Sequence, residues 1–205
     1  MEKKPKRTNK SAKKKADIYN HIIDTALYLA AEKGWQDLLL NDIAKKADIT
    51  LADLYTNFPN KIAILNGFQR RTNDSILRTG IEEGSSSRDQ LFGILMCRFD
   101  VLQTYRESIR VILRDVAFEP LTAITQFPEL YSSMASMLEV AGISSSGIGG
   151  ALRVKGLILV YLRALRIWLN DDSTDLSETM ASLDRDLARA ESLLGMLNQS
   201  KMSKN

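Results

Sequence analysis

Few side chains in this sequence have the type and spacing that catalysis needs. His21 is the one histidine and Cys97 the one cysteine, far apart in the chain, so neither a Cys-His pair nor a Ser-His-Asp set can be read from it. HExxH, paired CxxC, P-loop and GxSxG patterns are all missing. The adjacent acids Glu82-Glu83 and Asp171-Asp172 read as solvated loop and capping residues. The chain is therefore expected to be no enzyme and to hold no metal or cofactor. What remains is chemistry for polyphosphate. Residues 1–15 carry Lys3, Lys4, Lys6, Arg7, Lys10, Lys13, Lys14 and Lys15 against Glu2, a net of +7; the whole chain is +3, so the other 190 residues sum to −4. Such an arm on a mildly acidic body suits nucleic acid, the other reading being a solubilising tail. Further on, Thr50, Tyr55, Asn57 and Lys61 bring hydroxyl, amide and ammonium groups that can hold a phosphate backbone.

These groups need rigid elements to aim them, and the stretch from Asn41 to Leu65 supplies the pattern. Two short apolar-periodic segments, Asp42 to Ala47 and Leu51 to Phe58, are separated by only Asp48, Ile49 and Thr50, the layout of a helix-turn-helix. Thr50 can cap the second helix, and Asp53 can reach back to the Thr50 amide as a capping box. Pro59 stops that helix, and Asn60 can cap the next, which carries Ile62, Ile64, Leu65 and Phe68. Upstream, Ile18, Ile22, Ile23, Ala26, Leu27, Leu29 and Ala30 recur at helical spacing from Ser11 to Lys33, with Gly34 as a left-handed end.

The run Ile43-Ala44, Ile49-Thr50, then Leu54-Tyr55-Thr56-Asn57-Phe58 and Lys61 resembles the DNA-binding head of the TetR family of bacterial transcriptional regulators. Ala26, Leu29, Ala30, Glu32, Lys33, Gly34 and Trp35 resemble the end of that family's first helix. The resemblance covers about residues 15 to 68. It implies an all-α, TetR-like fold: an N-terminal three-helix head with the helix-turn-helix, and a C-terminal helical body for ligand binding and dimerisation. It also implies that Thr50, Leu51, Ala52 and Tyr55 face the major groove of double-stranded DNA, with Tyr55, Asn57 and Lys61 near phosphate. Asn41 and the arm's Lys13, Lys14 and Lys15 complete the expected DNA-binding set. Leu51 and Ala52 can offer only apolar contact, as to thymine methyl groups. The sequence departs from the family at Asp48, where Gly is usual, and at Leu51-Ala52-Asp53, where small or basic residues are usual.

With 205 residues and 44% hydrophobic content, a small head plus a larger body is affordable. The expected division is a basic disordered arm (1–14), the DNA-binding domain (15–60) and a ligand-binding, dimerising body (61–200). A lone cysteine suits a reducing cytoplasm. No apolar run approaches the roughly 18 residues of a membrane span, and no signal segment follows the lysine cluster, so neither is expected.

The body reads as helices over Arg88 to Arg106 and Glu107 to Phe118, and as an irregular or helical piece bracketed by Pro120 and Pro128. Pro128 then opens a helix to Ala141, and Gly142 to Gly150 is a loop. The next helix, Ala151 to Asn170, is apolar nearly all round. From Asp175 to Asn198, Leu176, Met180, Leu183, Leu187, Ala190, Leu194 and Leu197 form a heptad seam. That seam is an ordinary core face or a subunit interface; the interface reading places Trp168, Met180, Leu183, Leu187 and Leu194 between two copies of a homodimer. Phe92, Met96, Phe99, Leu113, Phe127, Tyr131, Met134, Leu138, Leu157 and Tyr161 are candidates to line a cavity for a small apolar or lipid-like effector, though each alone could be plain core. Trp168-Leu169-Asn170-Asp171-Asp172-Ser173 with Thr179-Met180 and Leu183-Asp184-Arg185 also resembles the C-terminal region of the lipid-binding accessory protein of ubiquinone biosynthesis. That group shares the TetR-type fold, and some members have lost DNA binding. The expected function is a ligand-released repressor, with a lipid-binding or interaction protein bearing a vestigial head as the alternative.

Overall fold

The computed structural model describes residues 7–78, 85–117 and 120–202, with the side chains of 15–76, 85–117 and 127–193. Among them are α-helices and no strand: α1 (Arg7–Lys33), α2 (Leu40–Lys46), α3 (Leu51–Asn57), α4 (Lys61–Arg78), α5 (Ser87–Gln103), α6 (Arg106–Ala117), α7 (Pro120–Val140), α8 (Gly147–Trp168) and α9 (Ser177–Met202). None of these helices is long and apolar enough to cross a membrane. The described residues divide into two units, one running to Arg71 and including 105–126, the other holding 72–104 and the residues from Phe127 on.

In the first unit, α1 buries Ile22, Ile23, Ala26, Leu27 and Ala30 at the spacing the sequence indicates, against α2 and α6. The helix begins at Arg7, so 7–14 of the supposed disordered arm have helical backbone. Lysine and alanine are good helix formers, and extending an existing helix gains a hydrogen bond for each residue fixed. Gly34, at φ +90°, ends α1 in the left-handed region and donates to the Ala30 carbonyl. Beyond it the chain is pinned from a distance. The Asp115 carboxylate on α6 accepts from the amides of Trp35 (2.7 Å) and Gln36 (3.3 Å). Thus α6, which the sequence reading places in the body, is grouped with the head. On α4, Gly67 leaves room for a close approach: a Cβ there would lie 2.6 Å from the Tyr19 hydroxyl and 2.8 Å from the Phe58 ring.

The second unit buries Leu95, Phe99, Met134, Val154 and Trp168 with almost no exposure. Two expectations fail here. Pro128 lies inside α7 and does not open it; proline removes one backbone donor, and the helical backbone continues on both sides of it. And α8 begins at Gly147, shortening the expected loop. The start of α9 is held by Asp171, which is fully buried and not solvated. Its carboxylate accepts from the Thr179 amide (2.8 Å) and hydroxyl (2.7 Å), and from the Ser173 amide (3.1 Å) and hydroxyl. Burial pushes its pKa up, but these four bonds outweigh burial and hold it down at about 2.

Candidate functional site

The helix-turn-helix is built from local backbone bonds. At the end of α2 the Ile49 amide donates to Ala44 and the Asp48 amide to Lys45, a Schellman motif whose left-handed position is Asp48, at φ +53°. That conformation explains why glycine suits the place. Thr50 caps α3 by accepting from the Asp53 amide at 3.0 Å. The expected capping box is only half made, because the Asp53 carboxylate accepts from the Thr50 hydroxyl (2.7 Å) and not from its amide. Asn60 caps α4 as expected, accepting from the Ala63 amide at 2.8 Å.

With Leu54 and Phe58 buried, α3 turns Leu51, Ala52 and Tyr55 outward, Leu51 at 39% and Tyr55 at 51% exposure. The polar side chains of α3 are bonded back onto the helix: Thr56 donates to the Ala52 carbonyl (2.9 Å) and Asn57 to the Asp53 carbonyl (2.8 Å). What α3 presents is therefore mainly apolar. A shallow concavity of about 550 Å³ gathers Leu39, Asn41, Leu51, Tyr55, Asn60 and Lys61. Lys61 is engaged in the fold: its ammonium donates to the carbonyls of Trp35 (2.8 Å) and Gln36 (3.0 Å) and lies over the Trp35 ring. Besides any contact with phosphate, it therefore ties the start of α4 to the non-helical link between α1 and α2, whose carbonyls need donors. Asn57 likewise is half-buried. Lys15 is exposed, and the side chains of Lys13 and Lys14 lie outside the described residues. Residues 16–61 hold four lysines against seven acids, a net of −3.

Asp115 and the charge it carries were not visible in the sequence pattern. Burial pushes its pKa up, but the Trp35 and Gln36 amides with Arg114 together hold it below the ordinary range.

In the second unit the candidate lining residues differ widely in exposure. Phe99, Met134, Leu138, Leu157 and Tyr161 are core, Phe92, Met96 and Tyr131 half-buried, and Phe127 48% exposed. Leu113 belongs to the first unit, on the exposed side of α6. A cavity of about 620 Å³ opens instead among α5, α8, α9 and the end of α7, lined by Leu91, Leu138, Leu157, Leu159 and Leu187 with Arg88, Arg153 and Lys155 at its edge. Of the ten expected residues only Leu138 and Leu157 line it. The interface residues are also corrected: Trp168, Leu183 and Leu187 are buried within the unit, 0 to 5% exposed, because α9 packs on α8 and α5 of its own chain. Met180 is 40% exposed, and the Leu194 side chain lies outside the described residues. Apolar side chains are left open on α8, at Ile148, Leu152, Leu159 and Leu162, and on α9, at Met180 and Leu193.

A capped outward helix following a tight turn defines the class: a helix-turn-helix DNA-binding protein. Residues 22–67 match the family described as bacterial regulatory proteins, tetR family. The chain is similar to the HTH-type transcriptional regulator YvkB of Bacillus subtilis (strain 168), 28% identical over 113 residues, which are 53% of this chain and 58% of that protein. It thus spans little more than half the length of that relative. It is also 27% identical over 175 residues to a Mycobacterium tuberculosis protein named as a mycofactocin biosynthesis transcriptional regulator, MftR, covering 80% of this chain and 85% of that one. A TetR transcriptional regulator from Nitrosomonas europaea shares the fold, with a TM-score of 0.71 at 21% identity over 85% of this chain and 98% of that chain. Residues 22–67 thus carry a DNA-binding head of the TetR type, and the described helices share the fold of a TetR regulator.

Proposed function

We propose that this chain is a repressor that binds an operator as a homodimer and is released by a small apolar effector held in the second unit. The observation that carries the reading is α3, capped by Thr50, anchored by buried Leu54 and Phe58, and presenting Leu51, Ala52 and Tyr55 outward. Affinity comes from elsewhere, since a head of net −3 cannot attract phosphate; the lysines before Ala16 supply the charge, and each phosphate they neutralise adds about −0.9 to the slope of log affinity against log salt. Dimerisation uses the exposed apolar residues of α8 that lie outside the cavity, Ile148 and Leu162. Two copies of α3 then enter successive major grooves only in one arrangement, and an effector acts by binding the other arrangement more tightly.

The self-bonded polar groups of α3 also favour a second reading, a ligand-carrying protein of the same fold whose head no longer reads sequence. A footprint on the DNA flanking the gene separates the two. Two protected half-sites about 10 base pairs apart are expected of the repressor; no protection at any protein concentration is expected of the carrier.

A further inference from the structure

Arg98 sits in the middle of α5 with only 3% of its surface exposed, and three other helices of the same unit converge on it. Its Nε donates to the Tyr161 hydroxyl on α8 (3.1 Å), and its Nη1 to Asn73 Oδ1 on α4 (2.6 Å) and Ser133 Oγ on α7 (3.2 Å). Its guanidinium also lies 5.2 Å from the centre of the Tyr161 ring. Every one of these partners is neutral. The carboxylates on the surrounding helices are turned away or engaged: Asp74, Asp89 and Asp100 are exposed, Glu139 accepts from the Ser145 amide, Asp184 pairs with Arg88, and Asp186 with Arg163 and Arg189. Glu129, half-buried on α7, makes no bond to Arg98. A buried cation without a counter-charge is costly, and the usual remedy is an ion pair. Packing alone does not call for the charge, since an apolar residue of similar volume fills such a place at no loss.

The hydrogen-bond inventory points the same way. Asn73 Oδ1 accepts twice, from Arg98 and from the Ser133 hydroxyl at 2.8 Å. Ser133 and Tyr161 each accept once from Arg98. The acceptors are in use, whereas three donors meet no acceptor among the described residues: Arg98 Nη2, the Tyr161 hydroxyl proton and Asn73 Nδ2. A cluster with one net positive charge and surplus donors is complementary to an oxyanion. Of the helices that carry it, α5, α7 and α8 also wall the 620 Å³ cavity, where Leu157 stands one turn from Tyr161, about 6 Å along α8.

Resting on the reading that the second unit holds an effector, we infer that this effector is an apolar molecule with a singly charged carboxylate, received by Arg98, Tyr161 and Asn73. A single charge is required because one guanidinium neutralises one; a phosphate dianion leaves a buried surplus. The test is calorimetry and thermal shift on the full chain with octanoate and octan-1-ol, benzoate and benzyl alcohol, and inorganic phosphate. Each acid is expected to bind at least about tenfold tighter than its alcohol, a charge-assisted bond against a neutral one, and phosphate is expected not to compete. Arg98→Met removes the preference, and Tyr161→Phe, which keeps the ring and loses only the proton donor, reduces it a few-fold. Acids and alcohols binding alike, a preference that survives both variants, or phosphate displacing octanoate each overturns the carboxylate site while leaving the apolar effector standing. Failure of every probe to bind removes both.

Discussion

The two units dispose of their polar groups in opposite ways. Among the described residues of the first, Asp115 is the single buried charge, and the side chains of α3 are bonded to their own helix, so the working surface is outward and largely apolar. In the second, Arg98, Asp171 and Asp186 are all buried, and α8 leaves isoleucine and leucine open. A head that spends its polar groups on backbone holds a helix rigidly for a partner outside. A body that buries the Arg98 guanidinium among neutral partners has a charge inside for which its own packing supplies no counter-ion. On the proposed function, DNA meets the surface of one unit and the effector the interior of the other.

The largest expected effect is on assembly. Ile148→Asp with Leu162→Asp places two charges on the open face of α8 outside the cavity, where the residues are 94% and 43% exposed. The fold is retained and the homodimer becomes monomer by sedimentation; an intact dimer moves the interface to another surface. Next is the anchor of α9. Asp171→Ala orphans the Thr179 and Ser173 donors and costs about 2–3 kcal/mol in denaturant unfolding at neutral pH. The sign of the pH dependence follows from a folded pKa of about 2 against an ordinary 3.8. The contribution is complete above the ordinary value and is lost as pH falls through the folded one, on the order of 1–2 kcal/mol. A parent protein whose stability relative to Asp171→Ala stays constant from pH 6 to pH 2.5 contradicts this.

A smaller effect sharpens the account of the head. If Leu51 and Ala52 read thymine methyl groups, replacing operator thymine by deoxyuridine removes about 0.8 kcal/mol per methyl, near fourfold in affinity. Leu51→Ala should abolish that difference, and an operator indifferent to the methyl groups shows that α3 reads by other contacts. Smallest is Asp48→Gly, which relieves a left-handed aspartate at φ +53°. It should raise stability by about 0.5–1 kcal/mol and, by removing an acid from the head, tighten DNA binding; a lowered melting temperature shows that the Asp48 side chain holds something.

What was legible in the sequence was what neighbours determine. Thr50 and Asp53, Asn60 and Ala63, and Gly34 make their bonds within four residues, so capping chemistry could be read without a fold. The apolar period of α1 marked its buried face, and that of α9 did so at Leu176, Leu183 and Leu187 but not at Met180. Period does not say what covers a face, which is why Leu183 and Leu187 pointed equally well to a partner and to α8 of the same chain. Lys61 was read as a phosphate ligand because its carbonyl partners lie 25 and 26 residues back, and Asp115 was silent because its amides are 80 and 79 residues away. Arg98 left a sign that went unused: it falls on the same helical face as Leu91, Leu95 and Leu102, a charge in the middle of an apolar stripe.

The central claim is that the head reads DNA sequence. Fluorescence anisotropy of the full chain, titrated at about 150 mM salt against its own upstream DNA and against a shuffled duplex of the same composition, tests it most directly. The account predicts binding to the upstream DNA at least about a thousandfold tighter than to the shuffled one. Equal affinity for both, falling together as salt rises, contradicts it and leaves the lysine-rich arm as the whole of the interaction.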